Sequence, residues 1–188
     1  MIDYQIHTDR LLLLPLTAEW MESMRAGAEK FNLSTGFHLP TPFTEFPEAI
    51  DSIILHIKTN LAQPPWISYA IVNPLDSSYI GQAGFKGGPD PSGVVEIGYE
   101  IAEDFRLKGY ADEVIRNLIR KAFEYKEVKI IMAHTLPVKN GSNHLLIKNK
   151  FVFQSTIIDP DDGTVWQWVL KRSAYQFAQL QQTSLPAE

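Results

Sequence analysis

The segment from Val94 to Tyr125, VVEIGYEIAEDFRLKGYADEVIRNLIRKAFEY, constrains the fold of this chain more than any other. It opens as a short apolar strand, passes through an acidic turn and a loop holding Gly109, and becomes a strongly periodic helix. Within that helix Val114, Ile115, Leu118, Ile119, Ala122 and Phe123 recur at helical spacing and form one broad apolar face. The β-branched and apolar run from Val128 to Thr135 then reads as a buried strand. A strand, a helical crossover and a second strand predict a parallel pair. The loop entering the helix presents backbone N–H groups at the positive end of a helix dipole, a setting that binds phosphate.

The rest of the chain supplies neighbours for that pair. His7 to Leu16 predicts a first strand, and Thr17 is a plausible cap for a helix over about Ala18 to Ala26. Phe31 to Pro47 has no period and reads as a loop, either a pocket lid or a packed connection. Pro47 then opens a helix with Ile50, Ile53, Ile54, Ile57 and Leu61 in one stripe, which Pro64 and Pro65 end. Trp66 to Val72 and Tyr79 to Phe85 predict strands that run antiparallel into Val94, because their connections are too short for a crossover. Asn140 to Lys150 predicts a short helix capped by Asn140 or Ser142. Phe151 to Thr156 and Thr164 to Leu170 predict a hairpin around Pro160-Asp161-Asp162-Gly163. The expected class is α+β: one domain over residues 1–172, with a mixed, mostly antiparallel central sheet, one parallel pair and flanking helices, followed by a tail over 173–188.

Composition narrows the function. A chain of 188 residues is long enough to bury roughly 70% of its extended surface in one domain. The formal net charge of −5 argues against broad nucleic-acid binding, which needs clustered Lys and Arg. The absence of cysteine excludes thiolate nucleophiles, disulfides and Cys-based zinc sites, and fits a cytoplasmic protein. No apolar run near the start approaches the roughly 20 residues of a membrane span, and no signal peptide is expected, so the sequons at Asn32 and Asn140 read as unglycosylated. His134 falls at the end of the parallel strand, within reach of an active-site cleft, and His144 on the next helix; their spacing has no metal logic, no metal site is expected, and both read as structural or surface residues. Trp166 and Trp168 share one face of the last strand and read as core or cleft wall.

In this setting Arg106-Leu107-Lys108-Gly109-Tyr110-Ala111 resembles the GNAT acetyltransferase signature R/Q-x-x-G-x-G/A. Glu96-Ile97-Gly98-Tyr99 and the opening Thr8-Asp9-Arg10-Leu11-Leu12-Leu13 are similar to the branch that acetylates N-terminal amines of ribosomal proteins. The resemblance covers almost the whole chain in the right order, and is much more specific than a lone glycine loop. It implies acetyl-CoA as co-substrate, with its pyrophosphate on Arg106 to Ala111, and backbone N–H groups near Tyr99 and Ile101 bonding the pantetheine arm or the thioester oxygen. Asp112 departs from the small residue common in the family, and as a first-turn acid it complements the helix dipole.

The resemblance also implies a base. An amine must be deprotonated to attack a thioester, and Glu96 stands at the family's strand position for that role, with Glu100 second on the same strand face. Asn140 to Phe151 resembles the family's N-x-x-S and helix ending in K-x-G-F; matching Ser142 to the family serine sets Lys139 opposite the asparagine that contacts pantetheine, a one-residue deletion restores Asn140 to that role, and Ser142 or water is left to assist the leaving thiolate. Lys150 stands where the family has glycine, and Leu146 where many relatives carry a tyrosine acid. The implied reaction is direct transfer to a primary amine, a protein N-terminus or a small molecule. The alternative is a CoA-binding module without catalysis. The acceptor and the oligomeric state, a homodimer included, are left open.

Overall fold

The structure is a computed structural model that describes residues 4–59, 63–160 and 163–183. It is α+β. The strands β1 (Ile6–His7), β2 (Leu12–Pro15), β3 (Ser68–Asn73), β4 (Ser78–Phe85), β5 (Val94–Ile101), β6 (Ile130–Thr135), β7 (Val152–Asp159) and β8 (Gly163–Lys171) follow the order β1-β2-β3-β4-β5-β6-β8-β7 in an eight-stranded mixed sheet. The helices are α1 (Ala18–Ala26), α2 (Ala28–Thr35), α3 (Ile50–Thr59), α4 (Tyr110–Phe123), α5 (Gly141–Lys148) and α6 (Arg172–Thr183). None of the described helices is long and apolar enough to cross a membrane. Two units divide the chain: Met1–Gly88 with Gly98–Asn117, and Pro89–Ile97 with Leu118–Glu188.

In the first unit, β2–β3 and β3–β4 are antiparallel, as their short connections require. The opening segment is two strands rather than one. Thr8 donates its N–H to the Leu11 carbonyl at 3.0 Å, and its hydroxyl accepts the Leu11 N–H at 2.9 Å, so the chain doubles back into a β1–β2 pair. The expected Phe31 to Pro47 loop is also shorter than its sequence implies. Gly27 ends α1 and admits α2, whose N–H at Phe31 bonds the Gly27 carbonyl, and Gly36 closes α2 in left-handed geometry. Phe31 is fully buried against Met21, Met24, Ile50, Ile54 and Tyr79. The remaining loop is packed, with Leu39 buried and Phe37 and Phe43 against the same core. Pro47 opens a 3-10 turn that leads into α3. Leu61, assigned to the same stripe, lies outside the described residues.

The second unit begins with the parallel pair. Val94↔Ile130, Val95↔Ile131 and Glu96↔Met132 set its register, and β6 pairs antiparallel with β8 along its whole length. Gly93 has φ +83, and a Cβ there would meet the Glu127 carbonyl at 2.4 Å, so only glycine lets the Lys129 N–H bond its carbonyl at 2.7 Å and align the two strand starts. Arg172 clamps the same end: its N–H bonds the Lys129 carbonyl at 2.8 Å, and its guanidinium donates to the carbonyls of Val128, Phe123 and Tyr125 and stacks 4.8 Å over the Phe123 ring. The hairpin β7–β8 forms as expected, although Asp161 and Asp162 of its turn lie outside the described residues.

The end of α5 accounts for one unusual residue. Lys150 N–H bonds the Ile147 carbonyl and Phe151 N–H the Leu146 carbonyl, both at 3.0 Å, which is a Schellman motif with buried Leu146 and Phe151 in its apolar contact. Lys150 sits in its left-handed position at φ 68, the place where the sequence motif calls for glycine. A Cβ there costs about 1 kcal/mol. Lys150→Gly is therefore expected to stabilise the protein by about 1 kcal/mol and raise Tm by about 2–4 °C in calorimetry, with no change in acetyl-CoA affinity.

Candidate functional site

The expected phosphate loop leads into α4 in the first unit. Glu103–Phe105 form a 3-10 turn, Leu107 adopts φ 61 and Gly109 φ +80, and helical bonding begins with the Glu113 N–H on the Gly109 carbonyl at 3.2 Å. Helix geometry leaves the N–H groups of Tyr110 and Ala111 without intrahelical acceptors, at the positive end of the α4 dipole. A Cβ on Gly109 would lie 3.4 Å from the Arg10 guanidinium. Arg10 bonds the Lys108 carbonyl at 3.0 Å and lies 4.5 Å over the Tyr110 ring, bringing a cation to both sides of that glycine. Lys108 holds the Asp104 carbonyl at 2.8 Å over the Phe105 ring. The carboxylate of Asp112 pairs with Arg116 at 3.4 Å and is 14% exposed. These residues fit an anion such as a pyrophosphate: a glycine hinge, helix-end donors and a guanidinium.

Arg106 takes a different part from the one its motif position suggests. Its Nε donates to the Ile101 carbonyl at 2.9 Å and its Nη1 to Glu45 at 2.8 Å. The bond from Arg106 holds the Glu45 carboxyl below its usual range, and Glu45 in turn raises Arg106. Glu100 anchors the same loop: it accepts the Thr44 hydroxyl at 2.9 and 3.0 Å, the Glu45 N–H at 2.7 Å and the Gln82 amide at 3.3 Å. Burial, then the Glu100 charge, push the phenol of Tyr79 far above its ordinary value. Tyr99 is half-buried and Ile101 buried on β5.

What holds the loop is a contact that sequence reading missed. Glu113, 3% exposed on the flank of the apolar face of α4, accepts the Arg10 N–H and Nε, each at 2.7 Å, and the Thr8 hydroxyl. Burial alone would push its carboxyl up, but the bonds from Thr8 and Arg10 outweigh that and leave it below the usual range. The one local signal was an acid among core-facing positions.

In the second unit, Glu96 is 18% exposed and its Oε1 lies 3.1 Å from Nδ1 of His134, which is 9% exposed. Asn140 and Asn143 cap α5 reciprocally, at 2.9 and 3.2 Å. The cap uses the Asn140 carbonyl oxygen, so a ligand would meet its amide N–H groups. Asn143 and Trp168 both donate to the Thr135 hydroxyl, at 2.8 and 3.0 Å, and this buried network seats α5 on the sheet. Ser142 is half-buried in the first turn of α5. Leu146 is fully buried and supplies no acid. Among the described residues no cluster of three His, Asp or Glu could hold a metal.

Residues 10–152 match the acetyltransferase (GNAT) domain family. The chain belongs to the GNAT family. Members of this family are acyltransferases, and the chain is 32% identical over 111 residues to the uncharacterized N-acetyltransferase YjdG of Bacillus subtilis, a match covering 59% of this chain and 66% of that relative. The GNAT fold is shared with RimL, a ribosomal L7/L12 α-N-protein acetyltransferase solved with coenzyme A, at TM-score 0.67 and 14% identity over 90% of this chain and 99% of that one. Mutant forms of the spermidine/spermine N-acetyltransferase SpeG of Vibrio cholerae align at TM-score 0.64 and 15% identity over 90% and 98%.

Glu113 is depressed, so its contribution to stability is present above the ordinary value of 4.5 and is lost as pH falls through the lower folded value. Glu113→Gln should cost about 1–3 kcal/mol at neutral pH, and denaturant unfolding should show the gap to wild type closing as pH drops below about 4.5.

Proposed function

We propose that this GNAT protein transfers the acetyl group of acetyl-CoA to a primary amine by direct attack. The observation that carries this reading is the Gly109 hinge beside Arg10, at the start of α4, in a chain that matches the GNAT family over most of its length. Acetyl-CoA supplies an activated thioester. The backbone donors of Tyr110 and Ala111, with Arg10 and Lys108, hold its pyrophosphate, and the loop from Arg106 to Ala111 carries them. Backbone N–H groups of Tyr99 and Ile101 bond the pantetheine arm or the thioester oxygen, where a fixed donor stabilises developing negative charge. The amide N–H groups of Asn140 add a further contact.

Glu96 takes the proton from the attacking amine. The N–C bond forms, the C–S bond breaks, and the thiol leaves with help from Ser142 or water; a thiolate with a conjugate acid of pKa about 8.5 is a fair leaving group. Glu100 is the weaker candidate for the base because its carboxylate is already spent on Thr44, Glu45 and Gln82. The acceptor is a protein N-terminus or a cationic small amine, and an acidic chain without cysteine fits a cytoplasmic setting.

Thiol release measured with a set of amines tests the base: Glu96→Gln should keep acetyl-CoA affinity and lower kcat by about 10²–10⁴. An unchanged kcat at saturating substrate would remove Glu96 from the reaction. Tight acetyl-CoA binding by wild type without thiol release for any amine would favour a CoA-binding module instead. For the cradle, Gly109→Asp puts bulk and negative charge at φ +80 beside the pyrophosphate, and calorimetry should find acetyl-CoA affinity reduced at least about tenfold.

A further inference from the structure

A polar row crosses one face of the sheet in the second unit. Register places Glu96 and His134 on the same face, His134 opposite Gln167 of β8, and Gln167 opposite Ser155 of β7. The Gln167 amide nitrogen lies 3.4 Å from His134 Nε2, and His134 Nδ1 lies 3.1 Å from Glu96 Oε1. An amide nitrogen can only donate. The Glu96 carboxylate can only accept, so Nδ1 carries the proton that faces it, and the tautomer that leaves Nε2 to accept from Gln167 fits both contacts.

We infer that His134 is a positioning residue for Glu96, with Gln167 setting its tautomer. The inference rests on the reading of Glu96 as the base. A glutamate side chain has three rotatable bonds, and a base that must meet the amine within hydrogen-bond reach loses rate when it samples several rotamers. The nearly buried imidazole holds one carboxylate oxygen in place before substrate arrives, so orientation is settled in advance. The order of parts reverses that of a serine hydrolase triad, in which a carboxylate orients an imidazole base. The bond lies on the face of β6 opposite buried Thr135, whose hydroxyl accepts from Asn143 and Trp168.

Two amide substitutions separate positioning from structural support, because Asn carries its N–H where Nδ1 stands and Gln carries it where Nε2 stands. His134→Asn should stay within about threefold of wild-type kcat, whereas His134→Gln and His134→Leu should lose about 10–100-fold, with the KM for acetyl-CoA unchanged in all three. In a Glu96→Gln background, His134→Leu should cause no further loss, because the positioned group is gone. Equal kcat for the Asn and Gln variants, or a His134→Leu loss of the same size with and without Glu96, would overturn the positioning role. Should Glu96→Gln alone retain full kcat, the base reading itself fails and takes this inference with it; a strong Glu96→Gln effect beside a silent His134→Leu removes only the inference.

Discussion

The buried carboxylate of Glu113 is the contact on which the entry to α4 depends. It lies inside the first unit, and a charge so placed is tolerated only when its lone pairs are filled. Thr8 and both the backbone and the guanidinium of Arg10 fill them. Because Arg10 also reaches the Lys108 carbonyl and the Tyr110 ring, the same side chain that neutralises Glu113 fixes the approach to α4. The turn that breaks the opening segment into β1 and β2 is what brings Thr8 and Arg10 to this place. The bonds that neutralise Glu113 and those that shape the entry to α4 therefore share one guanidinium.

Two glutamates on one face of β5 have been given different work by their neighbours. Glu100 collects donors from Thr44, Glu45 and Gln82 and serves as the anchor for a loop that Arg106 latches from the other side. Glu96 meets an imidazole whose second nitrogen is already engaged. A carboxylate engaged by three fixed donors from a loop and a neighbouring strand is committed to holding them, while the Glu96 carboxylate is held by an imidazole on β6. The contrast favours Glu96 on physical grounds that residue type and strand position alone do not supply.

Periodicity made the centre of the fold legible from sequence. The apolar faces of α3 and α4, the alternation of β5 and the β-branched run of β6 are local patterns, and the parallel pairing follows from the helix between two strands. The position of α2 was hidden because Phe31 to Thr35 carry little periodicity and are held helical by Gly27, Gly36 and the burial of Phe31. The split of the first strand was hidden for a similar reason, since it depends on one threonine bonding a turn. Long-range partners were the least legible. Glu113 with Arg10 and Glu96 with His134 join residues far apart in sequence, and single residues of these types are usually solvated or structural. At Lys150 the sequence shows only a departure from the motif's glycine, and the left-handed backbone that explains the motif is visible in the structure alone.

The central claim is that an acetyl group passes from acetyl-CoA to an amine on this protein. Mass spectrometry of a mixture of N-terminal peptides, polyamines and amino acids, incubated with acetyl-CoA and the full chain, tests it most directly. The account predicts a gain of one acetyl group on the primary amine of one acceptor class, dependent on the protein and strongly reduced in the Glu96→Gln variant. Acetyl-CoA bound tightly with no acceptor modified, or acetylation of one class equally fast with Glu96→Gln, would contradict it.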